Sequence, residues 1–513
     1  MTRNRLLVRL TLICGAVLCG VLALMNAHVL LLHVFNDPRG YVVPLAAGIT
    51  LLAGFTWLVR CMRSTPPPSG VCKSGLLDYT VLFVASFALR LFFVLWIQTP
   101  QYSDFQLFHW VTSQIARREP IYLGDPYFQV WAYQIGFPAL MFPVLRAWND
   151  IRALLIVNCV FMAGSGLCIL YLLRKYLPRA TALLLASLYC LLPYPYALAS
   201  VYTNQHLAML LFYAGMCFLA ARDAGRGTAD GQRPLLRGYV LCGIAAVLVA
   251  LGNMARPEGV LFVTAGAVYL VIAGGSQTPG GFAATPFPKG VFRAVSQAAV
   301  FVLAYFLSSA LLSGMIVWTG TNPHGLQNEA PLYKFAVGLN AQSGGRFNAA
   351  DAAIITGSYT PDERDAMFRE LIRERLSRPV ELPSLFVRKS YIVWTEYDAH
   401  FPAILRTEEN HRFPLLGYGI SARMLTRLFT AWGSLWFVAL YALAALVFWN
   451  HQKKPQVPGF LVFIALLLLA AFAAFLLVEV QRRYAYVVFP ALFAAAAMMP
   501  RPAMEVLHDH PGH

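Results

Sequence analysis

Asp104 stands where a hydrophobic segment gives way to a polar one. Residues 91–103 carry no charge and complete an apolar helix, and Asp104 opens the polar segment that follows. A carboxylate held at such a boundary can take a proton from a substrate that the bilayer presents. The position of this residue therefore indicates chemistry at a membrane surface.

A helix is predicted to begin beside Asp104. Ser103-Asp104-Phe105-Gln106 has the S-x-x-Q form of a capping box, which would put Asp104 at the first helical position. The positive end of the helix dipole favours an ionised carboxylate there. The predicted apolar face consists of Leu107, Phe108, Val111 and Ile115, and Arg117–Pro120 ends the helix. Many aspartates only stabilise a helix terminus, so the structural and the chemical roles both stay open.

Four arginines are predicted on the same side of the membrane as Asp104. Arg90 lies about 10 Å below the interface at helical rise, and it either snorkels to the surface or lines a polar cavity. Arg256-Pro257-Glu258 breaks two apolar helices and could be a local ion pair. Arg482 and Arg483 follow an uncharged span. Guanidinium groups bind phosphate by charge and paired hydrogen bonds, so the set predicts a site for a phosphate-bearing lipid.

The polar segment after Asp104 is rich in aromatic residues and contains a second carboxylate, Asp125. Gly124-Asp125-Pro126 is typical of a turn, which explains this aspartate without a chemical role. The aromatic residues are Tyr102, Phe108, Trp110, Tyr122, Tyr127, Phe128, Trp131 and Tyr133. They could stack on sugar rings, and an aromatic belt at the membrane interface would show the same enrichment.

The composition is that of a polytopic membrane protein. Of 513 residues, 58% are hydrophobic and 12% are charged, against about 25% charged in soluble proteins. The net charge of +16 comes from short basic clusters between apolar runs. Such clusters are typical of cytoplasmic loops and lipid headgroup contacts and do not indicate nucleic acid. The sequence has no P-loop and no H-E-x-x-H motif, so ATP-driven transport and zinc protease chemistry have no support.

We predict an all-α fold with about twelve membrane spans, because the uncharged stretches reach about 20 residues. The predicted spans are 8–30, 41–59, 77–97, 151–173, 180–200, 204–221, 238–254, 258–273, 294–318, 428–449, 459–478 and 484–500.

Basic clusters fall on alternate sides of successive spans, which predicts the orientation of the chain. Placing these clusters in the cytoplasm puts both termini inside and puts segments 98–150 and 319–427 outside together. This arrangement requires 134–148, an apolar stretch with two prolines, to be re-entrant or interfacial. We expect a cell (inner) membrane protein with its site on the extracytoplasmic face.

Four regions follow from this topology. They are a two-helix hairpin at 1–75, a membrane core at 76–318 with the first exterior loop 98–150, an exterior segment at 319–427, here called the cap, and C-terminal spans with a short tail at 428–513. The cap holds 12 of the 24 acidic and 13 of the 40 basic residues. Thr360–Glu363 is a capping box with proline at the first helical position, and Leu385–Trp394 is amphipathic. We expect a folded helical cap on the membrane.

The apolar face of the first cap helix is predicted to consist of Phe368, Leu371, Ile372 and Leu376, which recur at helical spacing.

The order and spacing of these motifs resemble the glycosyltransferase-C superfamily, and more narrowly the bacterial relatives of dolichyl-phosphate-mannose protein mannosyltransferases and aminoarabinose lipid A transferases. The motifs are Arg90, Tyr102-Ser103-Asp104-Phe105, Tyr133-Gln134-Ile135-Gly136-Phe137-Pro138, Arg256-Pro257-Glu258 and Gln481-Arg482-Arg483-Tyr484 with Pro490 beyond. Gly338-Leu339-Asn340 and Ser343 to Asp351, with Lys389 and Trp394, are similar to the exterior loop of bacterial members. The resemblance covers about 77–500. The mannosyltransferases carry adjacent acidic residues, whereas Phe105 follows Asp104 here.

The resemblance implies transfer of a sugar from a polyprenyl-phosphate donor by an inverting displacement, with no nucleotide and no other cofactor required. Asp104 would be the general base toward an acceptor hydroxyl, amine or phosphate. The donor phosphate would lie against Arg482, Arg483, Arg256 and Arg90. Contacts to the sugar or acceptor would come from Tyr102, Asp125, Tyr133, Asn340, Lys389 and Tyr484. No metal ligand is predicted, and the need for a divalent metal stays open.

Two other functions remain open. A transporter or flippase of a lipid-linked glycan would be expected to show a polar path at the midplane or internal symmetry, whereas the predicted ionisable residues gather at one face. For a non-enzymatic assembly subunit, the set of Asp104, Arg90 and Arg482/Arg483 would be a coincidence. The expected partners are membrane lipids, the lipid-linked donor and an exterior glycan, lipid or protein acceptor.

Overall fold

A computed structural model gives the fold of most of the chain. It describes residues 3–64, 75–119, 128, 131–224, 235–274, 276–278, 281–284, 287–328, 330–395, 411–415, 417–454, 457–481 and 483–498.

The secondary structure of the described residues in the first half of the chain consists of helices and one short hairpin. Its elements are α1 (Arg3–Asn36), α2 (Pro38–Ser64), α3 (Gly75–Ile97), α4 (Ser103–Arg117), a 3-10 helix (Ala132–Ile135), α5 (Gly136–Ala147), α6 (Ile151–Arg174), α7 (Arg179–Cys190), α8 (Pro193–Ala199), α9 (Gln205–Ala224), α10 (Leu235–Ala255), α11 (Gly259–Gly274), β1 (Ser276–Thr278) and β2 (Gly281–Ala284).

The second half adds the cap and the last membrane helices. Its elements are α12 (Phe287–Trp318), α13 (Tyr333–Gly338), α14 (Ala349–Thr356), α15 (Pro361–Leu376), α16 (Leu382–Trp394), β3 (Arg412–Leu415), β4 (Tyr418–Ser421), α17 (Ala422–His451), α18 (Gly459–Leu477), a 3-10 helix (Tyr484–Val487) and α19 (Phe489–Ala496). Strands β1 and β2 pair antiparallel, as do β3 and β4, where Arg412 faces Ser421.

The fold is that of an all-α polytopic membrane protein, as the sequence predicts. Within the described residues, seven helices are long and apolar enough to cross a membrane: Arg5–Asn36, Gly75–Ile97, Ile151–Arg174, Leu236–Ala255, Val291–Trp318, Ala422–His451 and Gly459–Leu477. Helix α1 packs along α17 and α18, α9 lies between α6 and α10, and α11 contacts α12 and α18. One continuous apolar core joins these helices.

Two predicted spans are not single helices. The stretch 180–200 divides into α7 and α8 at Leu191–Leu192, because the residue before a proline avoids the helical conformation and Pro193 follows. The stretch 484–500 begins as a 3-10 helix and continues as α19, whose eight residues cannot cross a bilayer. The prediction of one span at 484–500 is wrong.

The apolar stretch at 134–148 is too short to span. It forms the end of a 3-10 helix and the 12-residue helix α5, which is about 18 Å long against a hydrocarbon core of about 30 Å. Helix α5 packs along α4.

The cap contains helices α13 to α16 and the β3–β4 hairpin. The predicted capping box at Thr360 is confirmed, since Thr360 and Glu363 bond each other's backbone. Phe368 is fully buried in a small core with Tyr333, Val337 and Ile355. Leu376, predicted on the same apolar face, is exposed instead, because the helix ends there.

Candidate active site

Asp104 lies in the first turn of α4, but the predicted capping box does not form. The N-cap residue is Tyr102, in an extended conformation and without a side-chain cap hydrogen bond. Ser103 is helical residue one and has a φ of +48°, a left-handed conformation that costs a non-glycine residue about 1 kcal/mol. Asp104 is therefore the second residue of the helix, whereas the sequence predicts it as the first.

Arg483 contacts Asp104 directly. Its Nη2 donates to Asp104 Oδ2 at 2.7 Å, and its Nε donates to Gln481 Oε1 at 2.9 Å. The guanidinium carbon lies 5.3 Å from the centre of the Phe105 ring. The Arg483 carbonyl accepts from Gln205 Nε2 at 3.0 Å. These contacts hold a partly exposed cation against a partly exposed carboxylate.

Arg256 forms the local ion pair that the sequence allowed. It donates from Nε to Glu258 Oε1 at 2.9 Å, and from Nη1 to Asn204 Oδ1 at 3.0 Å. Burial lowers the pKa of Arg256, but the adjacent Glu258 carboxylate outweighs this and raises the pKa above its usual value. The guanidinium lies over the Tyr484 ring at 5.8 Å. Arg256 is therefore a fixed charge in the turn between α10 and α11.

A third ion pair, between Lys334 and Glu479, joins the cap to the segment that carries Arg483. Burial lowers the pKa of Lys334, but the groups around it, the Glu479 carboxylate among them, outweigh burial and hold the pKa well above the usual value. Burial raises the pKa of Tyr133, which is within electrostatic reach of both Lys334 and Arg256. Burial likewise raises the pKa of Tyr484, next to Glu479. Because their pKa values are raised, both tyrosine side chains keep an uncharged hydroxyl group at this site.

A small cleft opens between α9 and the 3-10 helix Tyr484–Val487. Its polar lining comes from Gln205, Arg256, Glu258, Arg483, Tyr484 and Tyr486, and its apolar lining from Ala208, Met209, Phe212 and Val487. The cleft thus combines guanidinium groups with an apolar wall along the first turns of α9. These residue types suit an anionic group attached to a hydrocarbon, and in this state the cleft has room for about one water molecule.

Residues 478–481, here called the strap, connect α18 to the turn at Arg483, and the cap holds this strap by its backbone. Glu479 N donates to Lys334 O at 2.7 Å, and Val480 N donates to Gly345 O at 2.8 Å. Backbone contacts of this kind fix the direction of the chain that leads to Arg483.

Lys389 also binds the strap. Its ammonium, buried in α16, donates to the carbonyl oxygens of Gly338 (2.8 Å), Leu476 (2.6 Å) and Val478 (2.8 Å). Burial lowers the pKa of Lys389 to about 7. A cation at the last carbonyls of a helix is favourable. Lys389 therefore binds the end of α18 and does not line the cleft, so the structure does not place it at the predicted contact with the sugar or acceptor.

Asn340 lies in the cap beside the strap. Its Nδ2 donates to Asp351 Oδ2 at 3.1 Å, and Asp351 also accepts from Arg375 Nη2 at 2.7 Å. A Cβ on Gly338 would lie 2.3 Å from the Leu477 carbonyl oxygen, so only glycine permits this approach. The motif around Asn340 shapes the surface that docks on the strap.

Arg90 is buried in α3, 1% exposed, and does not snorkel. Its guanidinium donates to the carbonyl oxygens of Ser86 (3.0 Å) and Cys190 (3.1 Å) and lies 5.1 Å from the centre of the Tyr196 ring. The Cys190 carbonyl belongs to the negative end of α7, which favours a cation. Arg90 is not among the residues that line the cleft.

Three residues that were predicted for the site are not part of the cleft lining or lie outside the described residues. Tyr102 precedes the Asp104 helix, and its ring contacts Phe105 edge to face. Asp125 and Arg482 lie outside the described residues. Within the described ranges, no group of three or more His, Cys, Asp or Glu side chains is arranged to hold a metal ion.

Three residues of the site were not predicted from the sequence: Asn204, Gln205 and Lys334. A signal for the first two exists, because Asn204-Gln205-His206 places three polar residues together between apolar stretches. Asn204 and Gln205 are buried in the structure, and the Lys334 side chain is partly exposed. Lys334 has no comparable signal, since it is one of many charges in the cap.

Comparisons with known proteins give structural similarity only. No family model and no curated protein matches the chain. One similar solved structure is the archaeal oligosaccharyltransferase AglB from Archaeoglobus fulgidus in complex with an inhibitory peptide and a dolichol-phosphate (12% identity, TM-score 0.39, 81% of this chain and 50% of that chain). Another is the Archaeoglobus fulgidus oligosaccharyltransferase in the apo form (13% identity, TM-score 0.38, 83% and 51%). The chain thus spans about half the length of these proteins.

Proposed function

We propose that this protein is a membrane glycosyltransferase that moves a sugar from a polyprenyl-phosphate donor to an extracytoplasmic acceptor. The observation that carries the proposal is the contact of Asp104 with Arg483 at the edge of a cleft with an apolar wall. A carboxylate, a guanidinium and a hydrocarbon surface are the three groups that such a reaction needs in one place.

Asp104 is the proposed general base. It would take the proton of an acceptor hydroxyl (or amine) as that group attacks the anomeric carbon of the donor sugar. The new bond forms between the acceptor and the anomeric carbon on one face of the ring. The bond to the phosphate oxygen breaks on the opposite face, which inverts the configuration. The electron pair of that bond stays on the departing polyprenyl phosphate.

Arg483 and Arg256 are the proposed phosphate contacts, and both line the cleft. Negative charge grows on the phosphate as it leaves, and fixed guanidinium groups stabilise charge that develops in the transition state. We keep Arg482 in this role from the resemblance. Arg90 donates its hydrogen bonds to backbone carbonyl groups and does not line the cleft. Its proposed contribution is limited to long-range electrostatic attraction of the donor phosphate.

The lipid part of the donor is proposed to run along the first turns of α9, where Ala208, Met209 and Phe212 line the cleft. Hydrocarbon burial provides affinity, and the anionic headgroup fixes orientation. Tyr133, Tyr484 and Lys334, which are within electrostatic reach of one another, are proposed to contact the sugar or the acceptor.

The position of these residues favours an enzyme over a transporter. Asp104 lies in the first turn of α4 and Lys334 in the short helix α13, whereas Arg256 and Arg483 lie in turns. None of the four belongs to the seven long apolar helices. A transporter of lipid-linked glycans would place ionisable groups near the midplane of the bilayer.

Mass spectrometry of envelope lipids and polysaccharides tests the proposal in strains with and without the gene. We expect one sugar to be missing from one envelope component in the deletion strain. The corresponding polyprenyl-phosphate sugar should accumulate, and the intact gene on a plasmid should restore both. An unchanged envelope, or accumulation of a lipid-linked glycan with its sugars complete, would contradict a transferase. The second result would favour a flippase.

A further inference from the structure

We propose that Arg483 changes partners during each turnover, leaving Asp104 for the donor phosphate. This inference rests on the proposed function and adds an order of events to it. Its starting point is that the described cations nearest the cleft are already paired. Arg483 contacts Asp104, Arg256 contacts Glu258, and Lys334 contacts Glu479.

Arg483 has two roles that conflict if its contacts stay fixed. Asp104 Oδ2 accepts a charge-assisted hydrogen bond from Arg483 Nη2 at 2.7 Å, so that oxygen is occupied when a proton must be taken. The same guanidinium lines the cleft proposed for the phosphate. A phosphate that draws Arg483 toward the cleft frees this oxygen of Asp104.

The surroundings of Arg483 allow a short movement. The side chain is 19% exposed and that of Asp104 is 30% exposed, so neither is locked into a dry core. The backbone of Arg483 is tied to Gln205 Nε2, which keeps the pivot in place while the guanidinium moves. The Arg256–Glu258 pair is better buried, with side-chain exposures of 11% and 9%. Lys334, 30% exposed in its pair with Glu479, does not line the cleft. Arg483 is therefore the cation best suited to an exchange.

The charges of the reaction drive the exchange. A phosphodiester donor carries one negative charge, and a departing phosphate monoester carries about two near neutral pH. Asp104 becomes neutral when it accepts the acceptor proton. The attraction of Arg483 for the phosphate thus grows at the step where its attraction for Asp104 is lost. The carboxylate is kept occupied until the donor has arrived, which predicts that donor binds before acceptor reacts.

A double-mutant cycle on lipid affinity tests the exchange without any turnover. The ligand is a short-chain polyprenyl phosphate, titrated into wild type, Asp104→Asn, Arg483→Gln and the double variant in nanodiscs, with polyprenol as the uncharged control. Competition between Asp104 and phosphate predicts that Asp104→Asn binds the phosphate about tenfold more tightly. Arg483→Gln should bind it more weakly, and in that background Asp104→Asn should change affinity less than twofold, because coupled residues are not additive.

Two controls separate the exchange from a general charge effect. Glu479→Gln removes one nearby negative charge but leaves the Asp104–Arg483 contact, so it should tighten binding much less than Asp104→Asn. Asp150→Asn, in an exposed pair with Arg152, should not change affinity. Asp104→Ser serves as a second variant if Asp104→Asn does not fold.

The results distinguish the exchange from the proposed function. Equal or weaker binding by both Asp104 variants, or equal tightening in the Arg483→Gln background, would overturn the exchange alone. If wild type binds polyprenyl phosphate no better than polyprenol, the proposal of a polyprenyl-phosphate donor is wrong, and the proposed exchange is wrong as well.

Discussion

Arg483 Nη2 lies 2.7 Å from Asp104 Oδ2, and the two residues are 379 positions apart in the chain. The contact joins the first turn of α4 to the turn that follows the strap. The strap is held in place by the backbone of the cap and by Lys389. The geometry at Asp104 therefore depends on residues that do not touch it.

Arg483→Gln should impair use of the donor far more than use of the acceptor. The variant loses the charge that the departing phosphate requires, and removal of such a group costs about a hundredfold in kcat/KM. Arg483→Lys keeps the charge without the paired hydrogen bonds and should be intermediate. Steady-state kinetics with each substrate varied in turn gives the comparison. Equal losses on both substrates would instead indicate a general structural defect.

Glu258→Gln should destabilise the protein, because it leaves the Arg256 guanidinium buried without its carboxylate. Breaking a buried ion pair in this way costs about 3 kcal/mol. Thermal unfolding in detergent measures the loss. Glu370→Gln, which breaks an exposed pair with Arg373, is the matched control and should unfold like wild type. Equal midpoints for wild type and Glu258→Gln would contradict the structure of this turn.

Gly338→Ala should loosen the cap. The added methyl carbon would lie 2.3 Å from the Leu477 carbonyl oxygen, and overpacking of this kind costs about 1 to 3 kcal/mol. Limited proteolysis should cleave the cap faster, and sugar transfer should fall. Gly314→Ala, where the methyl group meets open space, should leave both unchanged. Protection of the cap in Gly338→Ala equal to that of wild type would disprove the close docking.

Lys389 predicts a pH dependence of stability. Its pKa is lowered by burial to about 7, whereas an exposed lysine has a pKa of about 10.4. Between these values the unfolded chain binds more protons than the folded one, so stability rises with pH, by up to about 1.4 kcal/mol per unit. Chemical denaturation at pH 7, 8 and 9 should show this slope in wild type and a smaller one in Lys389→Met. The same slope in both proteins would refute the assignment.

Hydropathy and charge were sufficient to predict a membrane protein with a folded cap. Local patterns also succeeded where they were self-contained, as in the Thr360 capping box and the Arg256–Glu258 pair. The capping box at Ser103 failed because a left-handed backbone at that residue replaces the side-chain cap.

Contacts between distant segments could not be read from the sequence. Lys389 is predicted on an interfacial helix by its amphipathic neighbours, yet it binds the end of α18, about 90 positions away. Lys334 carries no local signal for its pairing with Glu479. The single span predicted at 484–500 failed because hydropathy does not detect a 3-10 turn within an apolar stretch.

Complementation of a deletion strain with Asp104→Asn tests the central claim most directly, with sugar on the envelope acceptor measured by mass spectrometry. The proposed base predicts no transfer by this variant at wild-type expression and folding, and full transfer by Asp150→Asn. Restoration of the sugar by Asp104→Asn would contradict the assignment of Asp104 as the general base.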